Sequence, residues 1–374
     1  MFPLPKPDPD DVSILVNGDP TGGLGGLAGA AASAIGLGGG GSDFKYWTQF
    51  ELSLALDSYS AAGFVAPFDY HRKEFRDAFR PFTFKTVEVK IGGQKIFIGR
   101  MQDIEPSVDP ESSTVSVTAY SLPKQLETHP PVSLLPLEFN GLDLFQIAKR
   151  LCEPFEVTVN PSVPVGSTFQ QVKCEPDQDI YSFLVDLAKQ RGLVIADNAN
   201  GELLIRRSES AGNPVARLEG QPVVKVTPTF SPESYYSEMT GFAPKKSGHV
   251  GSRYTEKNPK YLGTNIRPLN FTLEDTEAAD VPFAVRARLG RMFGNMVSYV
   301  VEGIPTWRDP KGNLWRPNTT ITLKAPEAMI YRETEFLIRN VTLRQDAQSK
   351  TATLGLVLPG AFSGETPSRL PFEE

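Results

Sequence analysis

The sequence has little cysteine and little histidine. Only two cysteines, Cys152 and Cys174, and three histidines occur in 374 residues. Two cysteines without an export signal indicate reduced, buried thiols rather than a disulfide framework. None of the histidines, His71, His129 and His249, has a cysteine or another histidine at metal-ligand spacing. The motifs H-E-x-x-H and G-x-S-x-G are also absent, so we predict no metal, no cofactor and no catalytic residue.

Long apolar runs and excess positive charge are lacking too. Outside one glycine-rich run there is no stretch of about 20 apolar residues that could span a membrane. The N-terminus, MFPLPKPDPDD, has prolines and acids where a signal peptide would have a basic start and an apolar core. The net charge of -6 argues against a protein that grips nucleic acid by a basic surface. The same net charge is compatible with a protein along whose surface nucleic acid passes without being bound.

What the sequence has in abundance is turn residues and aromatics, with 32 glycines, 32 prolines and 23 phenylalanines. This composition is typical of a β-rich protein. Residues 44–57 alternate apolar and polar side chains, which predicts a half-buried antiparallel strand. Residues 84–101 predict a hairpin whose tight turn is Gly92-Gly93. With a further strand near residues 115–119, we predict an antiparallel β domain over 1–125.

The pattern changes after this domain. Helical spacing over 142–151 and again over 180–189, followed by a short hairpin over 193–205, predicts a small mixed α/β domain at 126–218. The β pattern then returns, and we predict a second β domain at 219–374. Within it we expect an exposed excursion at about 243–282 and a helix over 282–292.

Two segments suggest an internal repeat. Phe97 to Arg100 and Phe336 to Arg339 have similar residues at an offset of 239, and each is followed by a turn and another alternating strand. Duplication would give two related β-barrels with a smaller domain inserted between them. The alternative is that any two β-hairpins look alike.

The run GGLGGLAGAAASAIGLGGGG at residues 22–41 has the form of a dinucleotide-binding loop. Gly23 to Ala28 fit G-x-G-x-x-A after an apolar strand. The next strand alternates, however, whereas a central parallel strand would be apolar on both faces. The acid expected near the end of that strand is Asp57, which lies 34 residues after Gly23 and is therefore late. No βαβ rhythm follows. We therefore predict a long insertion, over 19–43, at the tip of a β-hairpin.

The segment 68–84, FDYHRKEFRDAFRPFTF, interleaves aromatic and basic residues. Such a segment can stack bases and pair phosphates. The interpretation we favour is a short amphipathic helix from Arg72 to Phe79. Phe75 and Phe79 would then pack on the β domain while Arg72 and Arg76 face water.

The middle of the chain resembles a known family. Residues 141–207 read GLDLFQIAKRLCEPFEVTVN…FQQVKCEPDQDIYSFLVDLAKQRGLVIADNANGELLIRR. A helix, an extended link, an acid-bearing turn, a helix ending in L-A-x-x-x-G and a hairpin closing on glycine follow in this order. Thr306-Trp307-Arg308…Gly312-Asn313-Leu314-Trp315-Arg316 and the closing Leu358-Pro359-Gly360-Ala361-Phe362 are similar to later parts of the same family. The family is that of the baseplate hub proteins of contractile-tailed, Mu-like bacteriophages, which are related to the hub part of type VI secretion spike proteins.

The resemblance implies a mainly β fold with a smaller α/β part. Two tail-tube-like antiparallel β-barrels would flank an inserted mixed α/β domain. It implies a structural role and not an enzymatic one. Three chains would form a pseudo-sixfold ring that joins the sixfold tail tube to the threefold central spike, in the virion baseplate. The implied partners are two further copies, the spike, the tail tube or distal tube protein, wedge proteins and the tape-measure protein. DNA would pass through the lumen without specific binding.

The chain departs from the family between Val16-Asn17-Gly18 and Trp47, where the turn is normally short. Here the glycine-rich insertion intervenes. It is either a disordered loop or a tongue that docks on a partner through four apolar residues, Leu24, Leu27, Ile35 and Leu37. Two other functions stay open from the residues alone, namely a tail-associated cell-wall hydrolase that uses a pair of carboxylates, and a glycan-binding module.

Overall fold

The chain is mainly β with a smaller α/β part, as the sequence predicted. A computed structural model describes residues 8–17, 41–44, 47–219, 225–243, 251–273 and 280–373. Residues 41–43 of the insertion predicted over 19–43 belong to a strand, Gly41–Phe44, that pairs antiparallel with Val12–Asn17. The rest of the insertion, with its four apolar residues Leu24, Leu27, Ile35 and Leu37, lies outside the described residues. Within the described part no helix is long and apolar enough to cross a membrane.

The α-helices of the described residues, in chain order, are α1 Lys73–Ala78, α2 Leu144–Cys152, α3 Ile180–Gln190 and α4 Val281–Met296. The strands up to the α/β part are β1 Val12–Asn17, β2 Gly41–Phe44, β3 Gln49–Ala55, β4 Ala61–Pro67, β5 Thr86–Ile91, β6 Gln94–Val108 and β7 Ser113–Ser121. Those of the α/β part are β8 Glu138–Phe139, β9 Val159–Pro161, β10 Val172–Lys173, β11 Val194–Asp197 and β12 Leu203–Arg206. The remaining strands are β13 Ala216–Glu219, β14 Lys225–Phe230, β15 Glu238–Phe242, β16 Arg253–Lys257, β17 Pro268–Thr272, β18 Val297–Ile304, β19 Thr320–Ala325, β20 Ile330–Gln345 and β21 Lys350–Val357.

The hairpin predicted over 84–101 is confirmed as β5 and β6. Gly92 and Gly93 form its turn with φ of 59° and 79°, a left-handed backbone that glycine adopts without strain. In β3, Phe50, Leu52 and Leu54 are buried, and the intervening residues are more exposed. The strand predicted over 44–57 is thus found over Gln49–Ala55, and Phe44 ends β2 instead. The alternation of β3 reflects a sheet with one face on the core.

Two sets of five strands share one order and one direction pattern. The first five-strand unit is β5-β6-β7-β4-β3 and the second is β19-β20-β21-β18-β14, with antiparallel neighbours throughout. Beyond this core the units differ, because β1 lies antiparallel to β5 whereas β13 lies parallel to β19. The shared order supports an internal duplication.

The pairing registers of the two units map onto each other. Phe64 of β4 pairs with Val117, and Val301 of β18 pairs with Leu354, each 237 residues later. The bulges in β6 and β20 obey the same offset, and so do the hairpin tips described next. The offset of 239 that the sequence suggested for Phe97 and Phe336 therefore differs by two residues. A slip of two preserves the alternation of a strand, which is why sequence comparison missed it.

The tips of the two long hairpins are alike in detail. In the first, Asp109 accepts hydrogen bonds from the backbone N–H of Glu111 at 2.9 Å and of Ser112 at 2.7 Å. In the second, Asp346 accepts from the backbone N–H of Gln348 and Ser349, at 2.7 Å each. In both tips the serine hydroxyl donates to the other carboxylate oxygen. Each tip thus closes on the same side-chain turn.

The units meet within one 13-stranded sheet, and among the described residues this sheet does not close into a barrel. The meeting point is β20. Its first half pairs with β19, and its second half pairs with β3 of the first unit, from Asn340↔Ala55 to Gln345↔Phe50. The two barrels that the resemblance implies are therefore not found as separate closed barrels among the described residues. The strands run on from one unit to the other because β20 is long enough to have a different neighbour along each half.

The α/β part has its own core, built from the two predicted helices. Asp143 and Gln146 form a capping box at the start of α2, and Asp179 caps α3. Gly192, with φ of 60°, follows α3 and leads into the short sheet β11-β12-β9. The two cysteines lie in this core as free thiols.

The connection between β14 and β18 contains the predicted excursion. In the first unit the matching connection from β3 to β4 is a short turn, whereas here it holds the sheet β16-β15-β17 and helix α4. Helix α4 starts one residue before Pro282 and runs to Met296, longer than the predicted 282–292. Part of the expected excursion is therefore ordered strand rather than loop.

Candidate assembly surfaces

The second half of β6 presents an open strand edge. Its first half pairs with β5 as far as Arg100, but from Asp103 to Val108 the described residues offer it only β7 as a neighbour. The strand also loses its burial there, and Val108 is 66% exposed. We call residues 103–108 the β6 edge.

The direction of the backbone N–H and C=O groups of the β6 edge follows from a hydrogen bond at the tip of the β6–β7 hairpin. The N–H of Asp109 donates to the carbonyl of Ser112, so this pair is hydrogen-bonded. Hydrogen-bonded and non-hydrogen-bonded pairs alternate in an antiparallel ladder. Ile104, Pro106 and Val108 therefore direct their backbone away from β7, toward the open side. Pro106 has no N–H to offer there.

Strand β14 is the matching edge of the second unit. Among the described residues it pairs only with β18, and its residues are mostly exposed. The Ser231 N–H donates to the carbonyl of Met296, so by the same alternation Val226, Pro228 and Phe230 direct their backbone outward. We call residues 225–231 the β14 edge. A proline in the middle of each edge limits indiscriminate pairing of open strands.

A partly buried ion cluster links Asp10, just before β1, to the second unit. The Asp10 carboxylate accepts from Arg308 Nε and from Lys350 Nζ, both at 2.6 Å. Arg308 also donates to the carbonyls of Pro9 and Gly312. Burial alone would raise the pKa of Asp10, but the hydrogen bonds and charges of the two cations hold it below its ordinary value. The motif containing Trp307 and Arg308 is therefore a structural clasp in this chain.

The α/β part is clamped to the first unit by a buried carboxylate. Asp197 accepts from the backbone N–H of Ser60 at 2.9 Å and from its hydroxyl at 2.8 Å. Burial raises the pKa of this carboxyl group. On another side, Arg191 donates to Asp280 at 2.7 Å, which links the α/β part to the segment that begins α4. The orientation of this part is thus fixed by polar contacts.

A cleft of about 270 Å³ lies where α3, α4 and β20 approach one another. Arg339 makes two parallel hydrogen bonds to Asp57, at 3.0 and 2.9 Å. Arg291 donates to the carbonyl of Leu193, and burial lowers the pKa of Arg291 to about 10. Both guanidinium groups lie near the ring of Phe362, at 5.1 and 5.3 Å. The Arg339–Asp57 ion pair and the hydrogen bond from Arg291 thus link the elements around the cleft.

The aromatic and basic segment 68–84 folds as the favoured interpretation predicted. Phe79 is buried, Phe75 packs against the core, and Arg72 and Arg76 are exposed. The helix itself is Lys73–Ala78. The sequence did not indicate that Phe82 and Phe84, just beyond it, would have φ of 62° and 47° and be 90% and 51% exposed.

Within the described residues, the histidine, cysteine and acidic side chains that could bind a metal or act in catalysis do not come together at one site. They include no group of three or more His, Cys, Asp and Glu side chains that could hold a metal ion. His71 and His129 are exposed at separate places, and His249 lies outside the described residues. Burial raises the pKa of the Cys152 and Cys174 thiols to about 12 and about 11.

Comparison with known proteins gives the class of this fold. The model of the family "Baseplate hub protein gp44-like, second domain" matches residues 133–207. The 43 kDa tail protein of prophage MuSo2 from Shewanella oneidensis has a similar structure, with a TM-score of 0.71 and 23% identity over 95% of this chain and 100% of that one. The E. coli c3393 protein, a component of the type VI secretion system, has a TM-score of 0.51 and 13% identity over 86% of this chain and 76% of that one. The fold is therefore shared with a phage tail protein and with a component of the type VI secretion system.

A curated relative narrows the class. The baseplate hub protein gp44 of Escherichia phage Mu is 25% identical over 278 residues, which are 69% of this chain and 71% of the relative. The resemblance to baseplate hub proteins of Mu-like phages is thereby confirmed. Over these residues the chain is similar to a baseplate hub protein of a phage tail.

Proposed function

We propose that three copies of this chain form a ring with pseudo-sixfold symmetry, which joins the sixfold tail tube to the threefold central spike. The observation that carries the proposal is the pair of five-strand units, which have one strand order and share the register offset of 237 residues in three of their five strands. Three chains supply six such units. A closed ring of identical chains uses one heterologous contact repeated three times.

In this proposal each five-strand unit is one tail-tube-like element of the wall, corresponding to the two barrels expected from the sequence. The division into 1–125, 126–218 and 219–374 is kept. It is supported by the separate core of the α/β part, whose buried side chains lie between Leu126 and Ile205. The α/β part, held by Asp197 and Arg191, braces the ring from one side. The protein acts as a structural adaptor, without catalysis or cofactor.

The proposed partners are the central spike, the tail tube or distal tube protein, wedge proteins and the tape-measure protein. DNA passes through the lumen unbound. The four apolar residues of the glycine-rich tongue, Leu24, Leu27, Ile35 and Leu37, dock on one of these partners.

The mass of the purified protein tests the ring. We expect light scattering to give three times the mass of one chain, and negative-stain images to show rings with threefold symmetry. A protein that stays monomeric at the highest workable concentration, with and without its spike partner, would contradict the proposal.

A further inference from the structure

We propose that the β6 edge of one copy pairs, antiparallel, with the β14 edge of a second copy, in the register that the chain already uses between β20 and β3. The proposal rests on the trimeric ring above and specifies its subunit contact. Within the chain, the second half of β20 takes β3 as its neighbour. In the duplicated arrangement, the β6 edge corresponds to the second half of β20, and β14 corresponds to β3. Both counterparts have an open side among the described residues.

The register follows from the two offsets. Residues of β6 precede their counterparts in β20 by 237, as the bulges and tips establish. For β3 and β14, Phe50 pairs with Phe64, and Val226 pairs with Val301, which is the counterpart of Phe64. The pair Val341↔Leu54 inside the chain thus corresponds to Ile104 opposite Phe230 of a second copy.

The remaining pairs follow in steps of two. Leu343↔Leu52 corresponds to Pro106 opposite Pro228 of the second copy, and Gln345↔Phe50 to Val108 opposite Val226 of the second copy. In each of these pairs both residues direct their backbone N–H and C=O groups toward the open side. The two edges can therefore form the hydrogen bonds of an antiparallel ladder in this register. The proline pair makes no hydrogen bond. The two flanking pairs have four, because each offers an N–H and a carbonyl on both strands.

The apolar side chains are more exposed on the two edges than at the junction inside the chain. At the junction inside the chain, Val341, Leu343, Leu52 and Leu54 are at most 9% exposed. All six counterparts on the two edges are apolar residues as well, yet Val108 is 66% exposed and Phe230 is 39% exposed. Apolar side chains that alternate along an open strand are suited to burial by a partner strand. A second copy supplies a strand of matching pattern.

The polar side chains of the two edges fit the same arrangement. Glu105 and Ser107 face the opposite way from the apolar row, as do Thr227 and Thr229. Their counterparts at the junction include Glu51 and Arg344, which form an exposed ion pair. The polar face of the sheet would therefore continue across the subunit contact.

Cysteine cross-linking tests the register. In the proposed ladder Glu105 lies opposite Thr229 of the second copy in a non-hydrogen-bonded pair, where Cα atoms are about 4.5 Å apart and a disulfide can form. The double variant Glu105→Cys, Thr229→Cys should give covalent dimers and trimers on a non-reducing gel after oxidation. The native cysteines are buried and free, so we expect them to contribute little cross-linking of their own.

The matched control is Glu105→Cys with Thr227→Cys, which is shifted by two residues. We expect about ten-fold more cross-linked species from the first pair than from the shifted pair, since disulfide geometry excludes the longer distance. Equal cross-linking of both pairs overturns the register. A trimer by light scattering with no cross-link overturns the edge pairing but leaves the ring. A monomer with no cross-link overturns both.

A second variant covers a failure of the cysteine proteins to fold. Val108→Lys changes a side chain that is 66% exposed in the single chain, so it should leave the unfolding transition unchanged. In the ring it would place a charge in an apolar row and raise the dissociation constant about ten-fold or more. Met329→Lys, at a residue 48% exposed and outside both edges, is the control. Equal association of the two variants overturns the proposal.

Discussion

Replacing Asp10 by asparagine should loosen the clasp between the first strand and the second unit. Asp10 is 9% exposed, and its two cations, Arg308 and Lys350, have side chains that are 23% and 31% exposed. A hydrogen bond to a charged group contributes about 1.5–3 kcal/mol when shielded from water. Asparagine keeps one acceptor oxygen but loses the charge. We therefore expect Asp10→Asn to lower the free energy of unfolding by about 2 kcal/mol at pH 7.

The pH dependence gives a sharper test of the same contact. The pKa of Asp10 is lowered in the folded state, from a reference value of 3.8. Its contribution to stability is therefore full above the unfolded pKa and is lost as the pH falls through the lower, folded pKa. The difference between wild type and Asp10→Asn should be the same at pH 7 and pH 5. It should shrink only below 3.8.

Chemical denaturation followed by fluorescence measures both effects. Glu51→Gln is the control, because it removes the partner of Arg344 in a pair whose side chains are 47% and 62% exposed. Such a pair contributes about 0.5 kcal/mol or less. If Asp10→Asn destabilises no more than Glu51→Gln, or if its effect is already lost at pH 5, the structural reasoning about the clasp is wrong.

Three further results are expected. Gly92→Ala should lower the free energy of unfolding by about 2–3 kcal/mol, because a Cβ there would lie 2.2 Å from the Pro9 carbonyl oxygen at a φ of 59°. The control Gly93→Ala, at a φ of 79° with open space around it, should lower it by about 1 kcal/mol. Equal losses of stability in urea titrations would refute the clash. A thiol reagent at pH 8 should modify Cys152 in the folded protein no faster than the protein unfolds, since burial raises the pKa of this thiol to about 12; rapid modification that leaves the fold intact would contradict the burial. Replacing all four apolar residues of the tongue by serine should leave the unfolding transition unchanged but reduce tail assembly, and normal assembly in a complementation assay would remove the docking role of Leu24, Leu27, Ile35 and Leu37.

Local elements could be predicted from the sequence because their signals are local. The alternation of Phe50, Leu52 and Leu54 identified β3, and Gly92-Gly93 identified the hairpin turn. Asp179, placed just before an apolar helical stripe, marked the start of α3. These features depend on residues a few positions apart, so propensity and pattern suffice.

The assembly of the elements could not be predicted in the same way. The sequence of β3 does not indicate that β20 is its neighbour, because any strand of similar length with alternating apolar residues could pair with it equally well. For the same reason the repeat was matched at an offset two residues too long. The open edges were also hidden, since Ile104 and Val108 look like any half-buried strand until the register leaves them without a neighbour.

The shared strand β20 has a consequence for synthesis. Residues 50–55 leave the ribosome long before residues 340–345, with which they pair. At about 5–20 residues per second the intervening chain takes roughly 15–60 s to make. Throughout that time β3 exposes an apolar strand edge of the kind that recruits chaperones or captures a neighbouring nascent chain. A polysome making this protein therefore carries several such edges at once, and the pairing of β3 with β20 of the wrong molecule becomes the characteristic way for its folding to fail.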